Sequence, residues 1–192
     1  MQTDTLYPLS LSQKNVLYDS LKHNNSLHWN IYNTVFFSIL DDPRHANESQ
    51  DKIYKAYEKA SARFIHRHDL LRSYYVTSTN CNTGQLVIQQ GIQDFDPAKV
   101  QSHFQSFETI QDLIQEWFRR HGSFYIDLSS KHAYPCSTEL WYAKDTRQYV
   151  FYYVSYHSFF DGNCLSIVYN ELNQFMNHFL YNDPLTIPHL SF

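Results

Sequence analysis

The sequence is poor in the features that mark nucleic-acid-binding and membrane proteins. Lys and Arg together number only 15 in 192 residues and the formal net charge is -4, so no basic field is available to attract nucleic acid or anionic lipid. No apolar stretch approaches the length that a membrane-spanning helix needs. The N-terminus lacks the basic region and apolar run of a signal peptide. These absences predict a soluble, cytoplasmic protein that binds neither nucleic acid nor membrane.

Cysteine is also scarce. The three cysteines are Cys81, Cys136 and Cys164, and their odd number and wide spacing exclude a disulfide framework and a Cys-x-x-Cys zinc site. We therefore expect a reducing compartment and no bound metal. The sequence also lacks internal repeats, low-complexity tracts and Pro/Gly/Ser-rich linkers. This predicts a single domain over residues 1–192.

Aromatic residues, in contrast, are abundant. The chain has 16 Tyr, 14 Phe and 3 Trp, which make up 17% of its residues. Tyr and Trp bury apolar area while keeping a polar tip, so they suit both cores and binding surfaces. Composition leaves two interpretations open, a Tyr-rich core and surface or an exposed aromatic face that contacts a partner.

Hydrophobic periodicity predicts a mixture of helices and strands. Helical spacing of apolar residues occurs in residues 10–21, 48–68, 106–120 and 164–180. Strand patterns occur in residues 31–40, 71–76, 86–90, 138–143 and 148–156. The last strand, QYVFYYVSY, is so apolar that both of its faces must be covered, which predicts a central position in the sheet. The intermixed elements predict an α/β two-layer sandwich.

Two details of the predicted helices can be tested against the structure. Ser10 or Ser12 can cap the first helix. The last helix is expected to end before Asp183-Pro184 and to point six apolar side chains inward, namely Leu165, Val168, Leu172, Phe175, Met176 and Phe179.

The segment that carries reactive side chains is YHSFFDG, residues 156–162, between a predicted buried strand and a helix. Connections at strand ends hold such side chains on a rigid frame. His157 can act as a general base near neutral pH. Asp161 can order the segment by pairing with an arginine, and Gly162 permits close approach of the backbone. The alternative interpretation is a histidine that caps or packs in a turn.

Residues 156–162 resemble His-His-x-x-x-Asp-Gly, the signature of condensation domains of nonribosomal peptide synthesis and of the wider chloramphenicol-acetyltransferase-like acyltransferases. Residues 67–75, RHDLLRSYY, closely resemble the condensation-domain motif Arg-His-Glu-x-Leu-Arg-Thr-x-Phe. Residues 9–18 resemble the first motif of the family, a Ser-x-x-Gln helix start. Residues 32–33 resemble the Tyr-Asn that opens the next strand, and residues 124–140 match the Phe-Asp-Leu segment more loosely. The matches follow the family order and span essentially the whole chain.

The resemblance implies a chloramphenicol-acetyltransferase-like lobe, the N-terminal half of a V-shaped condensation domain. The activity it implies is amide-bond formation between a carrier-bound acyl thioester and an amine. No cofactor is then bound directly, because the substrates arrive on phosphopantetheine arms of carrier proteins. The expected partners are a peptidyl or acyl carrier protein and either a C-terminal lobe or another subunit. Since one lobe supplies only one wall of the site, the isolated lobe could be inactive.

The resemblance also assigns a role to each site residue. His157 matches the histidine credited with catalysis, which takes the amine proton or holds the tetrahedral intermediate. The backbone N–H of Gly162 is expected to be an oxyanion donor. Asp161 is expected to support the segment by pairing with Arg72, with Arg67 or an arginine of the missing lobe as alternatives. A solvated helix end is the other interpretation of both arginines.

Three neighbouring positions receive weaker assignments. Tyr156 replaces the first histidine of the signature, a position that is mostly structural in the family, so we expect Tyr156 to support the site. His68 is expected to pack or to cap a helix. Ser158 is not expected to be a nucleophile, because no Gly-x-Ser-x-Gly elbow surrounds it.

Two other functions remain open at this stage. A self-contained acyltransferase like chloramphenicol acetyltransferase would have a suitable length and would build its site between the subunits of a trimer. A non-catalytic module that docks carrier proteins would keep the same motifs, and Tyr156 would then mark the loss of activity. Residues 9–18 and 67–75 favour the condensation interpretation over the trimer.

Overall fold

The computed structural model describes residues 5–24, 33–39, 42–121, 129–156, 158–159 and 164–187. These residues form seven strands and four α-helices. The strands are β1 (Leu6–Pro8), β2 (Asn33–Ile39), β3 (Ser73–Thr79), β4 (Leu86–Ile92), β5 (Ser102–Phe107), β6 (Cys136–Ala143) and β7 (Gln148–Tyr156). The helices are α1 (Leu11–Asn24), α2 (Gln50–Arg67), α3 (Ile110–His121) and α4 (Leu165–Tyr181). Short 3-10 helices cover Pro43–Asn47, Asp69–Arg72 and Pro97–Lys99.

The strands form two sheets. The smaller sheet has the order β1-β4-β3 and is antiparallel. The larger sheet has the order β2-β7-β6-β5, in which β5 runs parallel to β6 and the other pairs are antiparallel. The parallel pair requires a crossover, and α3 lies on that connection.

Strand β7 is covered on both faces, as its apolar sequence predicted. On one face, Phe151 and Tyr153 share a core cluster with residues of α2 and α4. On the other face, Tyr152 and Val154 share a second cluster with Leu113 of α3. Because alternate residues of a strand point to opposite faces, both sets must be apolar for the strand to be buried between two layers of helix. The predicted α/β class is thereby confirmed.

A third cluster joins the two sheets where β7 ends. We call it the junction cluster, and its buried members are Leu9, Leu17, Tyr75, Ile88, Tyr156 and Phe159. They come from the start of the chain, α1, both long strands of the smaller sheet and the end of β7. The end of β7 is therefore packed against the smaller sheet as well as against its own neighbours.

The first helix begins with a reciprocal pair of hydrogen bonds. The hydroxyl of Ser10 accepts from the backbone N–H of Gln13 at 3.2 Å, and the Gln13 side-chain oxygen accepts from the backbone N–H of Ser10 at 2.9 Å. This is a capping box, which satisfies two backbone donors that a helix start otherwise leaves without partners. Of the two serines that the sequence offered, Ser10 fills the role.

Two predictions from periodicity were wrong. Ser106 and Phe107, predicted as helix, belong to strand β5, which the sequence pattern did not reveal. Strand β1 was also not predicted. In α4, Phe179 is 39% exposed rather than inward, whereas Leu180 is buried.

No helix in the described part of the chain combines the length and the hydropathy that crossing a membrane requires.

Candidate functional site

The structure describes Tyr156, Ser158 and Phe159 of the segment 156–162. His157, Asp161 and Gly162 lie outside the described residues, so their predicted roles stay predictions. Tyr156 and Ser158 flank His157 in the sequence, and both are described. Their surroundings are described in turn below.

Tyr156 closes β7 and belongs to the interior. It is 1% exposed, pairs in register with Asn33 on β2 and packs in the junction cluster. A ring buried in this way stabilises the end of the strand by removing apolar area from water. This environment agrees with the supporting role expected of the position before His157.

A backbone hydrogen bond follows immediately. The N–H of Phe159 donates to the carbonyl oxygen of Tyr156 at 3.0 Å. A bond between residues three apart closes a four-residue turn, here over residues 156–159. This turn follows directly after β7, whose residues from Tyr149 to Tyr156 are buried.

Tyr75, on β3 of the smaller sheet, contacts this turn in two ways. Its hydroxyl oxygen lies 2.7 Å from the hydroxyl oxygen of Ser158, and either group can donate. Its ring stacks on Phe159 with 4.9 Å between ring centroids and 13° between planes. Burial raises the pKa of the Tyr75 phenol well above its ordinary value, so the hydroxyl stays protonated near neutral pH.

A cleft of about 800 Å³ opens beside the turn. Ser158 and Phe159 line it together with Cys164, which precedes α4. Gln13 of α1 and Gln90 of β4 line the same cleft, and the Gln13 amide donates to the Gln90 side-chain oxygen at 2.8 Å. The described lining residues carry no charged side chain.

Arg72 lies in a different cleft. Its guanidinium donates to the backbone carbonyl of Gln93 at 2.6 Å and contacts the Asp69 carboxylate. Arg72 and Asp69 line a cleft of about 710 Å³ that does not include Ser158, Phe159 or Cys164 among its described residues. The predicted pairing of Arg72 with Asp161 stays a prediction.

Arg67 and His68 meet one carboxylate of α4. The side chain of Arg67 donates to Glu171 at 3.1 Å, and the His68 Nε2 lies 2.7 Å from the other oxygen of Glu171. Glu171 is 8% exposed. His68 also packs on Phe64, with ring centroids 4.7 Å apart, which confirms that it packs. Arg67 is therefore part of an internal link between α2 and α4, and the solvated helix end was the wrong interpretation for it.

The three cysteines are free thiols in different environments. Cys81 is exposed, Cys136 is buried and Cys164 is partly exposed. Burial raises the pKa of the Cys136 thiol to about 12, so it is not a nucleophile at neutral pH. Cys164 is the thiol that lines the cleft beside Ser158.

Sequence reasoning missed four contacts that shape this region. They are the hydrogen bonds between Tyr75 and Ser158 and between Gln13 and Gln90, and the contacts of Glu171 with Arg67 and His68. Only the first left a signal in the sequence. Tyr75 stands where the motif that residues 67–75 resemble has Phe, so a hydroxyl is added at a buried position.

Comparisons by sequence and by structure gave different results. None of the protein-family models matches the chain, and no curated protein sequence matches it. Solved structures of condensation domains do match it. The starter condensation domain of rhizomide synthetase RzmA is 16% identical with a TM-score of 0.69, and the match covers 94% of this chain and 41% of that one.

Two further neighbours have the same fold. The first condensation domain of the CDA synthetase is 15% identical with a TM-score of 0.66, over 91% of this chain and 40% of that one. The condensation domain of the enacyloxin polyketide synthase is 15% identical with a TM-score of 0.58, over 100% of this chain and 33% of that one. The chain spans about two fifths of the length of the first of these neighbours. It therefore shares the fold of part of these condensation domains.

Proposed function

We propose that this chain is the N-terminal lobe of a condensation domain that joins a carrier-bound acyl thioester to an amine. The observation that carries the proposal is the cleft beside the turn after β7, in a chain with this fold. The cleft is lined by Ser158, which follows His157 in the chain, and by Cys164, which precedes α4.

His157 would act on the amine. The amine nitrogen attacks the thioester carbonyl carbon, a C–N bond forms and the C–S bond breaks. His157 takes the proton that the nitrogen loses and returns it to the departing thiolate, so that protons and charges balance. The backbone N–H of Gly162 would stabilise the negative charge on the carbonyl oxygen. Holding the two tethered reactants together would supply much of the rate.

The same proposal assigns roles to Asp161, to Tyr156 and to the partners. Asp161 would order the segment through an arginine, and Tyr156 would anchor the end of β7. The acyl group would arrive on the phosphopantetheine arm of a peptidyl or acyl carrier protein. A second lobe would close the cleft over these lining residues.

Amide formation by the full chain tests the proposal directly. One neighbour, a mutant of the RzmA starter condensation domain, was crystallised with C8-CoA and Leu-SNAC, and these two compounds serve as probes. In a chain that also carries the C-terminal lobe, we expect the wild type to form the C8 amide of Leu-SNAC and to release free CoA, measured by mass spectrometry. His157→Ala should remove this activity, whereas the same substitution of His103, an exposed residue of β5, should keep it.

A binding measurement accompanies the activity assay. C8-CoA should slow the modification of Cys164 by N-ethylmaleimide while leaving exposed Cys81 unaffected. Equal amide formation by His157→Ala and wild type would remove the proposed mechanism. Protection of Cys164 without any amide would favour the non-catalytic carrier-binding module. If Cys164 is not protected and no amide forms, the result contradicts both the condensation function and the carrier-binding module.

A further inference from the structure

We propose that Tyr75 is a positioning residue for His157, acting through Ser158, the next residue in the chain. The inference rests on the proposed function, because it concerns the group assigned to catalysis there. Its content is that the smaller sheet restrains Ser158 and Phe159, which follow His157, through a hydroxyl pair and a stacked ring.

The contacts of Tyr75 show how the restraint is built. The hydroxyl pair with Ser158 is 2.7 Å long, and the ring stacks on Phe159. Tyr75 therefore contacts two successive residues of the turn, one by a hydrogen bond and one by packing. The turn is also closed by the bond from the Phe159 N–H to the Tyr156 carbonyl. Tyr156, Ser158 and Phe159, the described neighbours of His157, are thus each held by at least one contact.

The position of Tyr75 makes this restraint stiff. The side chain is 1% exposed and belongs to the junction cluster. Its strand pairs along its whole length with β4, where Gln90 lies opposite Tyr75. Gln90 in turn binds Gln13 of α1. A displacement of Ser158 would therefore require the movement of a residue fixed by a sheet and a helix.

The two interactions of Tyr75 can be separated by mutation. Tyr75→Phe keeps the ring that stacks on Phe159 and removes only the hydroxyl. Ser158→Ala removes the other member of the pair. Ser158→Thr keeps a hydroxyl and should retain the contact. Tyr152→Phe is the matched control, because Tyr152 is also buried, lies on β7 and packs in the cluster on the α3 face, and its hydroxyl has no hydrogen-bond partner in the described residues.

Hydrogen exchange of the Phe159 amide provides the first readout. We expect Tyr75→Phe and Ser158→Ala each to raise its exchange rate about two- to tenfold, the effect of one hydrogen bond. The double variant should exchange no faster than either single variant, because both remove the same contact. Tyr152→Phe and Ser158→Thr should leave the rate unchanged.

Kinetics of amide formation provide the second readout. Tyr75→Phe should lower kcat about two- to tenfold and leave KM for C8-CoA unchanged, because the acyl site itself is intact. Unchanged exchange at Phe159, or additive effects in the double variant, would overturn the inference. If even the wild type forms no amide, the proposed function fails, whereas exchange at Phe159 still decides whether Tyr75 restrains the turn.

Discussion

At the residue scale, Glu171 is the buried carboxylate that two residues of the segment 67–75 contact. It accepts from Arg67 and contacts His68, and its side chain is only 10% exposed. Charged hydrogen bonds in such an environment contribute more to stability than those at the surface. Residues 67 and 68 therefore have a structural role that the sequence did not reveal, because α4 lies about a hundred residues further along the chain.

Replacing this carboxylate should be costly. We expect Glu171→Gln to lower the free energy of unfolding by about 2–3 kcal/mol, measured by urea denaturation. The matched control is Glu108→Gln, which removes an exposed contact with Lys144 and should cost about 0–1 kcal/mol. Equal costs for the two variants would contradict the internal role of Glu171.

At the element scale, the smaller sheet depends on one glycine. Tyr74 on β3 lies opposite Gly91 on β4, and a Cβ built on Gly91 would come within 2.3 Å of the Tyr74 ring. Real Cβ atoms do not approach other atoms so closely, so the ring occupies the space that any other residue at position 91 would fill.

Gly91→Ala should therefore destabilise the protein by about 1–3 kcal/mol, because the Tyr74 ring must leave its place. Thermal and urea unfolding measure this cost. The same substitution made in a Tyr74→Leu background should cost less, since the smaller side chain leaves room for the added methyl group. An equal cost in both backgrounds would mean that the ring is not the obstacle.

The C-terminal end of α4 is tied to the 3-10 helix at Pro43–Asn47 by charge. Arg44 contacts Asp42 at 2.6 Å and Asp183 at 2.7 Å. The hydrogen bond from Arg44 lowers the pKa of Asp42 to about 2, and Arg44 also lowers the pKa of Asp183. Because these pKa values are lower in the folded state, their contribution to stability is present above pH 4 and is lost as the pH falls towards 2.

This linkage predicts the pH dependence of one variant. Arg44→Gln should be less stable than wild type at pH 5, and the difference should vanish as the pH approaches 2, where Asp42 and Asp183 take up protons. Urea unfolding at a series of pH values measures the difference without screening the charges. In a background with Asp42→Asn and Asp183→Asn, Arg44→Gln should have an effect that does not change with pH.

Sequence patterns predicted the elements best where the burial of a segment is simple. Strand β7 was predicted from Gln148 to Tyr156, because a strand buried on both faces is apolar throughout. Strand β5 was missed because its sequence, SHFQSF, is mostly polar and runs directly into the strong helical pattern of α3. In α4, Phe179 and Leu180 are neighbours at the edge of the buried face, where periodicity alone does not separate them.

The elements on either side of the candidate site were predictable, and the contacts that support them were less so. The strand, the turn at residues 158–159 and the following helix occur in the predicted order. The hydroxyl contact between Tyr75 and Ser158 joins residues 83 positions apart in different sheets. A contact of that kind depends on how the sheets pack together, and no local pattern encodes it.

At the scale of the whole molecule, the number of subunits distinguishes two functions. A trimeric acyltransferase would complete its site between subunits, whereas a lobe of a condensation domain would not need identical copies. We expect native mass spectrometry to give the mass of one chain, 22.9 kDa. A species of three times that mass would favour the trimeric acyltransferase and contradict the proposed function.

The register between β2 and β7 sets the order in which the site can be assembled during synthesis. Asn33 pairs with Tyr156, and β7 is the only strand beside β2 in the described part of the chain. Until β7 has been synthesised, β2, with the sequence NTVFFSI, has no strand to pair with and remains a template for aggregation. Closing a contact over so many residues is slow, so the pairing of β2 with β7, the strand that leads into the reactive turn, forms late. A prematurely terminated chain cannot contain it.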